Sequence, residues 1–406
     1  MQMVWLVLGL GAVSFAVSWC ATLAMKRIAP RLGFVDKPGH RKIHRAPIPL
    51  GGGVAIFLGF ALPILVVVIA CNVAPFADGD PLQPYAGGVV RQTGQALALM
   101  AAMAALHVMG LFDDRKALGP YSKLVIQLAV AAAVVVPFKS LRILTAFGAV
   151  PSVVLTVLWI TAITNAFNFL DNMDGLSAGV AAVCTTAFLA AALSIQQWFV
   201  AGSLALLLGA LIGFLCFNFP PASIFMGDAG SLVVGFLLGV LTVRTTYLPR
   251  GEAFGAGWYA VFMPVIVLAV PLYDLVVVSL IRLSRGKSPF VGDTNHFSHR
   301  LVARGMSKRT AVLCIYLVTA ATGVAAIILP HAGSSFVALL IFAQTVLILG
   351  VVALLEQHPL PAPLVREMNL RESAAAPGLE KPAPGKQAEK EVVATDGAPI
   401  HTDPAA

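Results

Sequence analysis

The sequence predicts an all-α polytopic membrane protein of about 11 transmembrane helices, with its N-terminus outside and its C-terminus cytoplasmic. Three observations carry that expectation. Hydrophobic residues make up 58% of the 406 and charged residues only 11%, a composition outside the range of soluble domains. Apolar runs of about 20 residues, the length that crosses a bilayer, recur along the chain. The basic residues gather in alternate loops between those runs, the pattern that orients a membrane protein with its positive loops inside.

The runs lie at 3–25, 51–73, 93–112, 124–138, 150–170, 176–195, 199–217, 231–247, 257–281, 309–329 and 335–355, the fourth being the shortest. No basic stretch precedes the first and no small-residue cleavage site follows it, so it reads as a retained span rather than a signal peptide. Three loops on one side hold most of the charge: Lys26 to Leu50 with seven Lys/Arg, Asp113 to Lys123 with three, and Arg282 to Arg309 with seven. The other side holds Arg91, Lys139, Arg142, Arg244 and Arg250. The net charge of +8 is therefore a membrane-surface charge and not a nucleic-acid footprint. Five cysteines are scattered singly through apolar runs without a C-x-x-C, which indicates neither a metal site nor a disulfide framework. Residues 1–356 read as the transmembrane domain. The remainder, 357–406, is rich in Ala, Pro, Lys and Glu and reads as a disordered cytoplasmic tail.

Acidic residues do not follow the positive-inside rule. Yet of the eleven Asp/Glu before the tail, eight fall at or toward the cytoplasmic face: Asp36, Asp113, Asp114, Asp171, Asp174, Asp228, Asp274 and Asp293. Carboxylates clustered among basic loops suggest a metal site with anion-binding surroundings.

The densest cluster is Asn165 to Gly175, N-A-F-N-F-L-D-N-M-D-G, at the end of an apolar run. Asn165, Asn168 and Asn172 recur at spacings of three and four and share a helix face. Polar groups at membrane depth mark a functional cavity, or they join helices; two Asp beside three Asn favour the first. Asp113 and Asp114 close the third run, where adjacent carboxylates call for a cation or a shared proton, or cap the helix end. Lys123 can hold a phosphate at the interface or snorkel. In N-F-P-P-A-S-I-F-M-G-D-A-G-S, Asp228 is a candidate magnesium ligand or an N-cap of the eighth helix, and Phe225 stacks on a base or packs.

The loop Arg285 to Arg300, R-G-K-S-P-F-V-G-D-T-N-H-F-S-H-R, holds Gly286-Lys287-Ser288, but Ile281 stands where a phosphate-binding P-loop needs its first Gly. His296 and His299 lack a third strong ligand for zinc, so anion binding by the histidines, Lys287 and Arg300 fits better, or else contact with lipid headgroups. R-K-I-H-R, with Lys42 and His44, sets topology or touches substrate. Asp274, inside the ninth run, is a functional group or orients a neighbour.

Five stretches in this order, R-K-I-H-R-A-P-I-P-L-G-G-G, G-L-F-D-D-R, N-A-F-N-F-L-D-N-M-D-G-L, F-M-G-D-A-G-S-L and G-K-S-P-F-V-G-D-T-N-H-F-S-H-R-L, resemble the polyprenyl-phosphate N-acetylhexosamine-1-phosphate transferases of glycosyltransferase family 4. The resemblance covers about residues 30 to 310. It implies transfer of a sugar 1-phosphate from a UDP-sugar to undecaprenyl phosphate, with release of UMP and a need for Mg2+ or Mn2+, at the bacterial inner membrane. Asp113 with Asp114 and Asp171 with Asp174 match the family's two acidic pairs, and His296 and His299 its histidine motif near the phosphates. Asp228 matches the metal ligand, with Asp171 near the metal; Asn218 and Phe225 match uridine-recognition positions. Lys42, His44, Lys123, Asn168, Lys287 and Arg300 complete the expected substrate contacts. Two positions depart from the pattern: Ser298 stands where many relatives have His, and Asn172 where Gly is common.

The histidine loop favours the N-acetylglucosamine type over the pentapeptide-using type. The expected partners are the two substrates, membrane lipid and a second copy of the chain, not nucleic acid. A transporter of anionic substrates and a catalytically silent scaffold are the competing classes, distinguished by counterflow without chemistry and by indifference to loss of Asp228.

Overall fold

The computed structural model describes residues 2–36, 47–73, 83–245, 258–289, 295–332 and 334–356. Lys42, His44, Asp293 and the expected tail at 357–406 lie outside the described residues. The described residues form thirteen α-helices. In chain order these are α1 (Gln2–Arg31), α2 (Gly52–Val73), α3 (Gln83–Arg115), α4 (Pro120–Val135), α5 (Ala149–Leu170), α6 (Leu176–Ser194) and α7 (Trp198–Asn218). They continue with α8 (Asp228–Arg244), α9 (Met263–Val267), α10 (Ala269–Ser284), α11 (Phe297–Ala303), α12 (Lys308–Ile328) and α13 (Ser335–Leu355). A two-residue antiparallel pair, β1 (Val35–Asp36) and β2 (Ile48–Pro49), links α1 to α2.

Each predicted apolar run coincides with a helix or a pair of helices. Among the described residues, eight helices are long and apolar enough to cross a membrane, and nine spans result if α9 and α10 are one broken span, bent by 68°. This is a multi-pass all-α membrane fold. The break falls at Leu268, and Pro271 explains it: proline has no N–H to give to the carbonyl one turn back. Helix α3 begins ten residues before the expected run, because Arg91 interrupts hydropathy without interrupting a helix. Helices α4 and α8, with 16 and 17 residues, rise about 24–26 Å, short of a hydrocarbon layer of roughly 30 Å.

Helix α8 is the interior of the bundle, and every residue from Ala229 to Thr242 is buried. The outer helices instead turn apolar side chains such as Trp5, Leu317, Leu339 and Val346 outward, as contact with lipid tails requires. Lipid is as apolar as leucine, so close backbone approach and polar contacts hold such helices together. Along α1 and α7, Ser14 Oγ donates to the Leu206 carbonyl at 2.6 Å and Ser18 Oγ to that of Ala210 at 2.7 Å.

The ends of α1, α3, α5, α7, α10 and α13 and the beginnings of α2, α4, α6, α8 and α12 meet at one end of the bundle, with the described parts of the three basic loops. There β2 joins the segment before α8. Phe225 N–H donates to the Pro49 carbonyl at 2.9 Å, and Gly52 and Gly53 donate to the carbonyls of Phe225 and Met226 at 2.9 and 3.0 Å. Helices α2, α3 and α8 touch backbone to backbone. A Cβ on Gly53 would lie 2.4 Å from Gly230 N, and one on Gly110 2.4 Å from Ala229 Cα.

Gly110→Ala therefore forces α3 from α8. It is expected to lower stability by about 1–3 kcal/mol, the usual result of overpacking, which thermal unfolding in detergent checks; an unchanged midpoint would contradict the contact.

Candidate active site

Helix α8 begins at Asp228 with no side-chain cap from its own segment. Its first amides are orphan donors with partial positive charge, and Asp114 of α3 meets them. Asp228 N–H donates to Asp114 Oδ1 at 2.8 Å and Ala229 N–H to Oδ2 at 3.2 Å. Asp114 is thus the cap of a helix more than a hundred residues away, and Asp228 is not its own cap. Gly227, at φ +72°, allows the approach, since a Cβ there would lie 2.5 Å from Asp114 Oδ2.

With its backbone held, Asp228 turns its carboxylate to two other helices. Oδ1 accepts from Asn168 Nδ2 of α5 at 2.9 Å, and Oδ2 accepts from Lys123 Nζ of α4 at 2.7 Å. Lys123 also donates to Asp113 Oδ2 at 2.9 Å, while Asp113 Oδ1 accepts from Leu118 N–H at 2.6 Å. Asn168 donates further to Ser231 Oγ at 2.9 Å.

Asp171 closes α5, where the Gly227 N–H hydrogen-bonds to it. Dense packing around this partly exposed carboxylate, then the charges of Asp228, Asp114 and Asp174, raise its pKa well above the usual carboxylate range. Asp174 accepts from Ala222 N–H at 2.9 Å and so ties the Asp-rich turn to the segment leading into α8. Among the described residues no group of three His, Cys, Asp or Glu is set to hold a metal ion by itself. The crowded carboxylates instead suit a hard cation of the magnesium kind, which takes one or two carboxylates and completes its shell with phosphate oxygens and water.

The other expected site residues lie outside this hydrogen-bonded carboxylate node, and some of them are committed to partners within the protein. Asn218 is 4% exposed; its Oδ1 accepts from Gly175 N–H at 3.0 Å and its Nδ2 donates to the Ile224 carbonyl at 2.9 Å. That makes it a strut beneath the site, with its amide turned away from any ligand. Arg300 is held by Glu356 in a two-bond fork, Nε to Oε2 at 2.9 Å and Nη2 to Oε1 at 3.0 Å. His296 is buried: Nδ1 lies 2.9 Å from Asp274 Oδ2 and Nε2 lies 3.4 Å from Arg282 Nη2. Asp274 thus orients a neighbour. His299 is half-buried, and burial, then His296, lower its pKa. Phe225 is half-buried against the entry to α2, and Lys287 is exposed.

Sequence reasoning missed three braces. Gln127 of α4 accepts from Asn165 Nδ2 at 2.5 Å, a partner four residues beyond Lys123 and so on its face. Tyr316 of α12 donates to the Gly175 carbonyl at 2.5 Å. Ser298 Oγ donates to Asn172 Oδ1 at 2.6 Å, so the two residues that depart from the family pattern hold each other.

Comparison with known proteins bears on this site. The sequence model of glycosyl transferase family 4 matches residues 96–246, which include α8 and the Asp113, Asp171 and Asp228 segments. A Bacillus subtilis (strain 168) protein named "Probable undecaprenyl-phosphate N-acetylglucosaminyl 1-phosphate transferase" is 33% identical over 79% of this chain and 85% of its own length. The chain belongs to glycosyl transferase family 4. Other members of the family that it resembles are a Mycobacterium tuberculosis (strain ATCC 25618 / H37Rv) decaprenyl-phosphate N-acetylglucosaminephosphotransferase, 30% identical over 76% of this chain and 78% of that protein, and an Escherichia coli (strain K12) undecaprenyl-phosphate alpha-N-acetylglucosaminyl 1-phosphate transferase, 28% identical over 73% and 76%.

A carboxyl whose pKa is raised on folding binds more protons folded than unfolded, so its contribution to stability falls as pH rises from about 3.9 through the raised value. With chelator present, the melting temperature is expected to fall over that window. Asp171→Asn should flatten the fall, and an equally steep profile in the variant would remove Asp171 as its source.

Proposed function

We propose that this family 4 chain transfers N-acetylglucosamine 1-phosphate from its UDP donor to undecaprenyl phosphate, releasing UMP, at the cytoplasmic face of the bacterial inner membrane. The observation that carries the reading is the convergence of Asp113, Asp114, Asp171, Asp174 and Asp228 with Lys123 at one end of the bundle. The names of the relatives supply the sugar and the lipid acceptor. The basic loops at the same end support a cytoplasmic site.

Transfer of a phosphoryl group is mostly positioning and charge neutralisation. Asp171 and Asp228 would hold magnesium or manganese, which when bound neutralises charge on the donor diphosphate. Lys123, already between Asp113 and Asp228, adds a cation beside them, and Asn168 fixes which oxygen of Asp228 faces the site. His299 and Lys287 would meet the donor phosphates, and Phe225 the uracil. A lipid phosphate is ionised near neutral pH and needs no strong base to attack. Both oxygens of Asp113 and of Asp114 already accept N–H or ammonium donors, which favours direct in-line attack by the lipid over a covalent Asp intermediate.

Purified protein in detergent, given undecaprenyl phosphate and a panel of UDP-sugars, is expected to release UMP with UDP-N-acetylglucosamine only when lipid and magnesium are both present. Asp228→Asn should lower that rate by about 10²-fold or more. No release with any sugar from folded protein would refute the reading.

A further inference from the structure

Helix α11 carries His296 at its N-cap and His299 within its first turns, and it is only seven residues long. A helix of that length does not hold itself in place. Two buried carboxylates from other helices hold it at its two ends. At the first, Asp274 of α10 accepts from Phe297 N–H at 2.6 Å and meets His296 Nδ1 at 2.9 Å.

At the second stands Glu356, the residue that closes α13 and is 7% exposed. Its carboxylate takes the Arg300 guanidinium through Nε at 2.9 Å and Nη2 at 3.0 Å, and Tyr273 of α10 donates to Oε2 at 3.4 Å. Its backbone carbonyl accepts from Arg304 Nε at 2.6 Å. A bidentate fork fixes orientation as well as distance, so the last span grips α11 through Arg300 within it and Arg304 at its C-cap. The third arm of Arg300, Nη1, donates to the Asn295 carbonyl, one residue before His296. Glu356 is thus connected to the histidine segment by an unbroken chain of contacts.

We propose that Glu356 is a positioning residue for the transfer reaction: through Arg300 it sets the place and rotation of α11, and with them His296 and His299. The final span thereby belongs to the framework of the site rather than to a membrane anchor alone. Three of the five N–H donors of Arg300, one each on Nε, Nη1 and Nη2, are engaged within the protein, which fixes the guanidinium to Glu356 and Asn295.

The kinetic arm of the test rests on the transferase reading; the labelling arm does not. In the full-length protein, Glu356→Gln and Arg300→Gln should each lower kcat for UMP release by a similar factor, about tenfold or more, with the KM for undecaprenyl phosphate unchanged. The double variant should lose no more than either single. Diethyl pyrocarbonate labelling read by peptide mass spectrometry should find His296 protected in the wild type and modified in Glu356→Gln. His331, at the far end of the bundle, should label alike in both. Wild-type protein that released no UMP would defeat the transferase reading and leave the labelling to decide. Wild-type kcat and His296 protection in Glu356→Gln would overturn the proposal, as would Arg300→Gln alone raising the KM for the UDP-sugar.

Discussion

The interaction on which the site depends is the bracket between Asp114 and the first two amides of α8. A buried helix start needs acceptors for its free N–H groups, and here the acceptor is a carboxylate from another helix rather than a local cap. That choice fixes the ends of α3 and α8 against each other. It works because Gly110 and Gly227 leave no side chain in the gap. Once α8 is held, the carboxylate of Asp228 can be directed by α4 and α5 through Lys123 and Asn168. The remaining acids then crowd around it, and burial first, with the added negative charge of its neighbours second, raises the pKa of Asp171.

A second tier of contacts holds this node at membrane depth. Gln127 with Asn165 joins α4 to α5 one turn beneath Lys123 and Asn168. Asn218, Asp174 and Tyr316 fasten the Gly175 turn to the segment before α8 and to α12. Each is a polar group satisfied by a partner distant in sequence, which a low-dielectric interior demands. The braces make the site a rigid feature of the bundle, as positioning chemistry requires.

Much of this was legible in the sequence. The apolar runs gave the helices, and the order of the acidic stretches gave the cluster, because membrane-depth carboxylates stand out against so apolar a background. What the sequence could not give was the direction of each side chain. Asn218 reads as a substrate contact because it matches a uridine-recognition position of the resembled family, and Arg300 because a basic loop with two histidines suits an anion. The structure sets Asn218 against Gly175, 43 residues away, and Arg300 against Glu356, 56 residues away along the chain. Asp274 was open between a functional and an orienting role, and only its distance to His296 decides that. Hydropathy marked the ninth run as one span, whereas Pro271 breaks it, a local backbone effect that an average over residue types conceals.

The central claim is that the acids of this node hold and orient groups, and that the lipid phosphate attacks the donor directly. The most direct test is a single-turnover measurement with protein, magnesium and UDP-N-acetylglucosamine but no polyprenyl phosphate, followed by intact-protein mass spectrometry. The account predicts no burst of UMP and no added mass until lipid is supplied. A stoichiometric burst with a sugar phosphate on Asp113, Asp114 or Asp171 would contradict it.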